Sequence, residues 1–398
     1  MKSKLGNLLA PPCRAMGLLL VLVAMTLSLQ AAAATASPRV VAVGDIHGNF
    51  DALVEVLQET GLMDAEQRWI GGDAILVQTG DFLDRGSKVR EVMDLLMALE
   101  KQAVRDSGRV VVLLGNHEMM NLMGDLRDVA KKSYLSFVDE NSGKRRQDVY
   151  QDYLELYKRR SQLLGQEPSI TPKFEKQWMK RHPPGFLEYR DALQPHGKYG
   201  GWLRKRPAIV QIGDTIFLHG GIHPELASFK LRAINERIKW EIEAFDAYTR
   251  YMVAEKLIVS LATLDEAVAA AEAELKRRKD EVADKSMLES FLQYGSWLSV
   301  HPNGPLWFRG FAYWSEREGR RYLSKLLESY EAKHFVVGHT AQLPGRIRTR
   351  FRDKVFLVDT GMLSSFYRGG RASALEIQDG RFTAIYRGRS KVLLDPGN

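Results

Sequence analysis

Short apolar runs rich in β-branched residues recur along the chain, and three of them end at a glycine. VVAV ends before Gly44, ILVQT ends before Gly80, and VVVLL ends before Gly115. Continuous apolar runs of this length are typical of strands that are buried on both faces within an α/β layer. The pattern therefore predicts three buried strands of an α/β fold.

Two long stretches, at about 129–196 and about 226–294, show helical spacing of apolar residues instead. Thr263 and Glu266 match a capping box, which predicts the start of a helix. The first stretch has apolar and aromatic positions that include Tyr150, Tyr153, Leu154 and Tyr157. We interpret these positions as core packing. A lid over a functional site is the alternative, because the two stretches flank His219.

Each predicted strand leads into a short polar string. The strings are GDIHG at 44–48, GDFLDRG at 80–86 and GNHE at 115–118, and HGG and GHT follow at His219 and His339. The ends of neighbouring strands are where α/β folds place their chemistry. A capping Asp or a core His explains any one of these residues, but the ordered series indicates a metal site. The candidate ligands are Asp45, His47, Asp81, Asn116, His219 and His339.

The candidate ligands offer nitrogen and oxygen but no thiolate, and this mixture suits manganese, iron or zinc. If one carboxylate bridges two ions, six side chains can hold both ions. The ions would then lie about 3.5–4 Å apart, which is the spacing in two-metal hydrolases. Asp81 lies in the middle string and is the natural bridge. The residues alone therefore fit either one ion with about four to six ligands or two divalent or trivalent transition-metal ions that share Asp81.

The ordered series D-x-H, G-D-x-x-D-R-G, G-N-H-E, H and G-H resembles that of the calcineurin-like metallophosphoesterases. Its D-R-G ending resembles the phosphoprotein phosphatase branch, which has the diadenosine tetraphosphatases as close relatives. The later segments VVGHT, VFLVDTGM and GGRASALEI look most like the Shewanella-like protein phosphatases, and the similarity runs from about Val40 to Ile377. The resemblance implies a calcineurin-like β-sandwich flanked by helices, with two sheets that are largely parallel at the metal edge.

The resemblance also implies roles for individual residues. One metal ion would be held by Asp45, His47 and Asp81. The other would be held by Asp81, Asn116, His219 and His339. His117 would be the general acid, with Asp84 as its carboxylate partner. Arg85 and Arg309 would bind the phosphate.

Elementary chemistry supports the same roles. The negative charge of a phosphate ester repels a nucleophile, and two cations neutralise that charge and lower the pKa of a bound water. His117 follows Asn116 directly, and a His oriented by a carboxylate can protonate a leaving group, a step typically worth about 10²–10⁴-fold. A hydrogen-bond donor beside the metals is the alternative for His117. Arg85 offers a planar fork matched to phosphate, and an ion pair with Asp84 or Asp81 is its alternative.

Composition agrees with an enzyme of this size. The chain has 398 residues, of which 45% are hydrophobic and 27% are charged, so it can bury a sizeable core. Its formal net charge of +8 favours acidic substrates or surfaces. Basic clusters at 144–146, 158–160 and 276–279 lie in helical patterns with interleaved acidic residues. No nucleic-acid motif accompanies them, so no nucleic-acid partner is expected.

The first 36 residues have the pattern of a secretory leader. Basic residues precede the apolar stretch GLLLVLVAMTLSL, and ATA at 34–36 fits a small-x-small cleavage site. The pattern predicts a signal peptide over 1–36 and a metallophosphoesterase domain over 37–398 that acts in the periplasm or is secreted. The apolar stretch is short for a membrane span, which needs about 20 residues, so no stable span is expected after cleavage. An uncleaved membrane anchor is the alternative.

The sequence thus predicts a metal-dependent phosphoester hydrolase that uses a hydroxide activated by two metal ions. A phosphorylated protein or peptide is the expected substrate, with phosphotyrosine and phosphoserine or phosphothreonine equally open. The alternatives are a hydrolase of dinucleoside polyphosphates or other nucleotides, and a catalytically weak phosphoprotein-binding module. His117, Asp84 and Arg85 argue against a pure binder, since binding needs no general acid. No oligomeric state is predicted.

Overall fold

The computed structural model describes residues 37–163, 165–278 and 285–397, so the predicted signal peptide lies outside the described residues. The strands are β1 (Val40–Val43), β2 (Ile75–Gln78), β3 (Arg109–Val112), β4 (Ile209–Ile212), β5 (Thr215–Leu218), β6 (His334–Val337), β7 (Arg348–Arg350), β8 (Val355–Leu357), β9 (Ala374–Gln378), β10 (Arg381–Tyr386) and β11 (Arg389–Leu394).

These strands form two sheets. The first has the order β11-β10-β9-β1-β2-β3 and the second has the order β4-β5-β6-β8-β7. Strands β1, β2 and β3 pair in parallel, as do β5, β6 and β8. The expected fold of two sheets, parallel where the polar strings follow the strands, is confirmed. The third strand begins one residue before the apolar run at 110–114 and ends at Val112, because pairing with β2 spans Arg109–Val112.

The alternation of side chains along β1 explains why its apolar run is continuous. Val40 and Ala42 belong to a core that also contains Phe217 of the second sheet, so this face packs between the sheets. Val41 and Val43 belong to the larger core that includes the helices. Both faces of the strand are therefore buried, and both need apolar residues.

Helices cover the outer faces of the sheets and fill the long connections. They are α1 (Phe50–Glu59), α2 (Val89–Ala103), α3 (Asn116–Met123), α4 (Lys131–Leu135), α5 (Ser142–Leu163), α6 (Pro172–Arg181), α7 (Phe186–Ala192), α8 (Lys198–Leu203), α9 (Leu231–Ala254), α10 (Leu264–Arg277), α11 (Ser286–Leu292), α12 (Gly310–Tyr313) and α13 (Glu316–Ser329). Within the described residues, no helix has both the length and the apolar character that crossing a bilayer requires.

In the residues that the structure describes, the two stretches predicted to be helical contain helices joined by loops. Helices α4–α8 lie between β3 and β4, and we call them the first insertion; α9–α11 lie between β5 and β6. The capping box is confirmed, since the backbone N–H of Glu266 donates to Oγ1 of Thr263 and the backbone N–H of Thr263 donates to Oε2 of Glu266, at 3.3 and 2.9 Å. Tyr150 and Leu154 are buried against Trp178, which confirms that these two positions serve core packing.

The two sheets approach each other closely where β1 ends. A Cβ atom at Gly44 would lie only 2.4 Å from the carbonyl oxygen of Val358, which follows β8. Only glycine permits this approach without a backbone shift. The close contact brings the polar string after β1 next to the strand ends of the second sheet.

Candidate active site

The six candidate ligands are buried and lie in the segments that follow parallel strands. They are Asp45 and His47 after β1, Asp81 after β2, Asn116 after β3, His219 after β5 and His339 after β6. Their exposed fractions range from 0% for His219 to 6% for His339. The fold therefore brings residues from both ends of the domain to one edge of the sandwich.

Several site residues have a left-handed backbone that L-residues rarely adopt. The φ angles are 47° at His47, 56° at Asp81, 68° at His339, 66° at Asp84 and 62° at Arg85. Each such conformation costs on the order of 1–3 kcal/mol, and it persists only where the surrounding structure imposes it. Observed strain of this kind clusters at functional sites, and here it coincides with the polar strings.

Asp81 lies at the centre of the cluster. Its Oδ2 is 3.1 Å from Nε2 of His219, and 3.8 Å from Nε2 of both His47 and His117. Two groups of residues could each hold a metal ion, and both include Asp81: one adds His47 and His117, the other adds His219 and His339. A carboxylate shared by two groups is what a bridging ligand requires.

In the imidazoles of His47, His219 and His339, one ring nitrogen is hydrogen-bonded to a backbone carbonyl oxygen. The accepting oxygens, all at 2.9 Å, belong to Leu83, Thr79 and Trp307 respectively. In a neutral imidazole the other nitrogen then carries a lone pair, and in all three rings it faces the cluster. Backbone carbonyls orient metal-binding histidines in this way.

The donor set at His219 fits a cation. Its Nε2 lies 3.1 Å from Nδ1 of His339, from Oδ1 of Asn116 and from Oδ2 of Asp81. Lone pairs and a carboxylate that converge at this distance repel one another unless a positive charge lies between them. Nitrogen and oxygen ligands without sulfur suit manganese, iron or zinc.

Asp45 lies beside this cluster. Its carboxylate accepts the backbone N–H of His339 at 3.0 and 3.2 Å, and its Oδ2 is 4.0 Å from Nε2 of His47. Burial and the neighbouring carboxylates of Asp359 and Asp81 raise the pKa of Asp45 well above its ordinary value. A bound cation would relieve this concentration of negative charge.

The protonation states of the other ligands also suit metal binding. Burial would raise the pKa of Asp81, but the three histidines His219, His117 and His47 hold it well below its ordinary value. Burial lowers the pKa of His47 to about 3 and that of His339 well below its ordinary value. Deprotonated Asp81 and the neutral imidazoles of His47 and His339 are the forms that ligate metals.

His117 and Asp84 form a buried pair. Nδ1 of His117 lies 2.6 Å from Oδ2 of Asp84, and the two residues are 2% and 0% exposed. Burial would lower the pKa of His117, but the carboxylates of Asp81 and Asp84 raise it to about 9. Nδ1 of His117 is thus engaged by Asp84, and its Nε2 lies 3.0 Å from Nη2 of Arg85.

Arg85 is held by aromatic and imidazole groups rather than by a carboxylate. Its Nη1 donates to the hydroxyl of Tyr367 at 2.5 Å and lies 2.5 Å from Nε2 of His47. Its guanidinium carbon is 4.9 Å from the ring centre of Phe366. Among the described residues, Arg85 forms no ion pair with Asp84 or Asp81, the alternative that the sequence left open.

The second predicted phosphate-binding arginine lines the same cavity. Arg309 donates from Nη1 to the carbonyl oxygen of His339 at 2.6 Å and to Oγ1 of Thr340 at 3.0 Å. The cavity measures about 600 Å³, and its lining includes Arg85, Arg309, Asp81, Asn116, His117, His339, Trp307, Tyr313 and Tyr367. No lining residue comes from 129–196 or 226–294 in the part of the chain that the structure describes. The lid alternative for these helices stays a prediction.

Three residues of this site, Tyr367, Phe366 and Asp359, were not singled out from the sequence. Tyr367 and Phe366 lie in SFYRGG, directly before a segment used for the resemblance, and Asp359 lies inside VFLVDTGM. Glu118 is fully buried, and its carboxylate accepts backbone N–H groups of Asp81, Phe82, Leu83 and Gly115 at 2.7–3.0 Å. It therefore holds the Asp81 loop in its strained shape.

Comparisons with known proteins agree with this geometry. The family model for calcineurin-like phosphoesterase matches residues 38–343. Shewanella-like protein phosphatase 1 of Plasmodium berghei (strain Anka) is 25% identical over 352 residues, which cover 87% of this chain and 74% of that protein. Shewanella-like protein phosphatase 2 of Arabidopsis thaliana is 31% identical over 214 residues, or 52% of each chain.

A solved structure is similar over most of the chain. The cold-active protein-tyrosine phosphatase of a psychrophile Shewanella sp. has 25% sequence identity and a TM-score of 0.58, and the similarity covers 90% of this chain and 81% of that one. The family match spans well over half of this chain. The chain is therefore a metallophosphoesterase and belongs to the calcineurin-like phosphoesterase family.

Proposed function

We propose that this metallophosphoesterase is a protein phosphatase whose substrate is a phosphorylated protein or peptide. One observation carries the proposal: the Asp81 cluster, the His117–Asp84 pair and two arginines all line or adjoin one cavity of about 600 Å³. A phosphate group needs cations, a proton donor and directional hydrogen-bond donors. This cavity offers all three. The names of the similar proteins support the same substrate class.

The ligand assignment has two parts. One ion would be held by Asp45, His47 and Asp81. The second would be held by Asp81, Asn116, His219 and His339. Two bound transition-metal ions would neutralise phosphate charge and lower the pKa of a water. Manganese, iron and zinc are the candidates, because the donor set has imidazoles, carboxylates and an amide oxygen but no thiolate.

The chain's own residues would bind the phosphate and protonate the leaving group. Arg85 and Arg309 present guanidinium groups, and each guanidinium can donate two parallel hydrogen bonds to two oxygens of a phosphate. His117 would donate the proton at Nε2, since Nδ1 is engaged by Asp84 at 2.6 Å. The carboxylate of Asp84 favours the protonated form of this ring.

Exposed aromatic side chains favour phosphotyrosine over the aliphatic phosphoesters. Tyr313 lines the cavity and is 71% exposed, and Phe366 packs on Arg85 while 59% exposed. Rings at the mouth of a phosphate site can stack against a substrate ring, and such aromatic contacts contribute about 0.5–1.5 kcal/mol each. A phosphoserine offers no ring for this contact.

A substrate panel tests the function directly. Purified protein, stripped of metal and then supplied with manganese, iron or zinc in turn, should hydrolyse phosphotyrosine peptides faster than matched phosphoserine peptides. A higher kcat/KM for dinucleoside tetraphosphates would favour the nucleotide hydrolase instead. Binding of phosphopeptides without turnover under every metal condition would favour a binding module.

The location is a separate part of the proposal. The leader pattern over 1–36 supports cleavage after Ala36, and action in a bacterial periplasm or outside the cell on phosphoproteins there. N-terminal sequencing of protein from a fractionated host tests this: a start at Ser37 in the periplasmic fraction is expected. An intact Met1 on cytoplasmic protein would contradict it, and an intact leader in the membrane fraction would favour the anchored form.

A further inference from the structure

His117 is held by a chain of buried hydrogen bonds that reaches into the first insertion. Oδ2 of Asp84 lies 2.6 Å from Nδ1 of His117, and Oδ1 of Asp84 accepts a hydrogen bond from the side-chain amide of Asn121 at 2.8 Å. Oδ1 of Asn121 then accepts the hydroxyl of Tyr189 at 2.5 Å. Asp84, Asn121 and Tyr189 are all 0% exposed, so solvent does not compete for these bonds.

The hydroxyl of Tyr189 pairs with the oxygen of the Asn121 amide, on the side opposite the two acceptors that orient it. Nδ2 of Asn121 donates to Asp84 and also to the carbonyl oxygen of His117 at 2.9 Å. Both acceptors need an N–H, and Oδ1 on the other side meets a donor. If the amide were reversed, its oxygen would face a carboxylate and a carbonyl. An unpaired buried polar group costs about 1–3 kcal/mol, so the Tyr189 hydroxyl stabilises the observed position of the amide by pairing its buried oxygen.

Tyr189 itself is fixed by the packing of the first insertion. It lies on α7, and its ring meets the rings of Tyr134 and Phe137 edge-on, with centres 5.3 and 5.1 Å away. The next residue, Arg190, donates from Nη1 to the carbonyl oxygen of Asn121 at 3.1 Å. Two consecutive residues of α7 therefore hold the side chain and the backbone of the same asparagine.

We propose that Tyr189 is a positioning residue, which fixes the amide of Asn121 and thereby orients Asp84 and the imidazole of His117. The proposal rests on the proposed function, in which His117 protonates the leaving group. Neither Tyr189 nor Asn121 lines the cavity, so neither touches the substrate. The first insertion then supports proton transfer from behind the general acid.

The effect of losing the Tyr189 hydroxyl should depend on the leaving group. A misoriented imidazole impairs protonation, and protonation matters most when the departing oxygen is strongly basic. Phosphate binding and metal binding do not use this chain of bonds. KM and metal content should therefore stay constant while kcat falls for poor leaving groups.

The variant Tyr189→Phe tests this, because it keeps the ring and removes only the hydroxyl. Tyr134→Phe is the matched control, since it removes a hydroxyl from the same aromatic cluster and not the one that Asn121 accepts. With metal-loaded protein, we expect Tyr189→Phe to lower kcat about tenfold on phenyl phosphate and less than about twofold on para-nitrophenyl phosphate. Tyr134→Phe should match the wild type on both.

A second measurement shows whether the effect passes through His117. In a His117→Asn background, Tyr189→Phe should cause no further loss on phenyl phosphate, because residues that act as one unit are not additive. Equal losses on the two substrates, a further loss in the His117→Asn background, or wild-type kinetics would each overturn the proposal. If Tyr189→Phe does not fold, Asn121→Ser breaks the same chain one bond closer and must give the same substrate dependence.

The same data separate this proposal from the proposed function. A wild-type protein that hydrolyses no phosphate monoester with any metal would contradict the function. A wild-type protein that is active and depends on His117, but is indifferent to the Tyr189 hydroxyl, would contradict only the positioning role.

Discussion

Oδ2 of Asp81 lies 3.1 Å from Nε2 of His219, and this contact joins the two sheets of the sandwich. Asp81 follows β2 of the first sheet, and His219 follows β5 of the second. The same oxygen is 3.8 Å from His47, which follows β1. One carboxylate therefore connects the ligands of both sheets.

Replacing Asp81 by Asn should abolish most activity and reduce bound metal. Asparagine keeps the size of the side chain but loses the negative charge that offsets two cations, so we expect metal content below about two ions per chain. We expect kcat to fall by at least about 10³-fold, as removal of a major electrostatic group does. Elemental analysis and a phosphatase assay on the same sample provide the measurement. Asp45→Asn is the comparison, because it serves one proposed ion and should lose less.

Replacing His117 by Asn should separate the two chemical roles that its position permits. His117 lies within one potential metal group with His47 and Asp81, yet its Nδ1 is bound to Asp84. If His117 is the general acid, the variant should keep the metal content of the wild type. Its kcat should be lower by about 10²–10⁴-fold for poor leaving groups. Assays across aryl phosphates of graded leaving-group pKa give the slope. Loss of metal together with a uniform loss of activity would instead identify His117 as a ligand.

Replacing Arg85 by Ala should mainly weaken substrate binding. A charge-assisted hydrogen bond contributes about 1.5–3 kcal/mol, so kcat/KM should fall roughly 10- to 100-fold. Arg85→Lys should recover only part of this, because lysine lacks the planar fork. Arg68→Ala is a control for net charge, since that side chain is 67% exposed and pairs with Asp64. Unchanged kinetics in Arg85→Ala would remove Arg85 from the site.

The sequence predicted those parts of the site that carry a local signal. Asp45, Asp81 and Asn116 each come within two residues of a glycine that ends an apolar run. Burial on both strand faces produces such runs, and parallel pairing places the following loops at one edge. The strands and the grouping of these ligands could therefore be inferred before the fold was known.

The contacts that support these residues had no such signal. Tyr189 touches Asn121, and Tyr367 touches Arg85, only because separate segments pack together in three dimensions. A buried tyrosine in a helical pattern looks the same whether or not its hydroxyl has a partner. The partners of a polar group are set by tertiary packing, so only the folded structure reveals them.

The carboxylate of Glu266, at the start of α10, should make the free energy of unfolding depend on pH. Oε2 of Glu266 accepts the backbone N–H of Thr263 at 2.9 Å, and Oε1 lies 3.5 Å from Nε2 of His182. Burial would raise the pKa of Glu266, but His182 and the Thr263 N–H outweigh it, so the pKa is below its ordinary value. The folded state therefore favours the charged form.

A carboxyl group whose pKa is lower in the folded state stabilises the protein above its unfolded pKa, which is about 4.3 for Glu, and loses this contribution as the pH falls. Glu266→Gln keeps a side-chain oxygen for the capping box but removes the charge. It should lower the free energy of unfolding by about 1 kcal/mol at pH 7. Urea unfolding of both proteins should give curves that converge below about pH 4. Asp265→Asn, at the exposed neighbouring position, controls for the loss of a first-turn charge and should have a smaller effect. A difference between wild type and Glu266→Gln that stays constant down to pH 3 would show that the charge of Glu266 does not stabilise the fold.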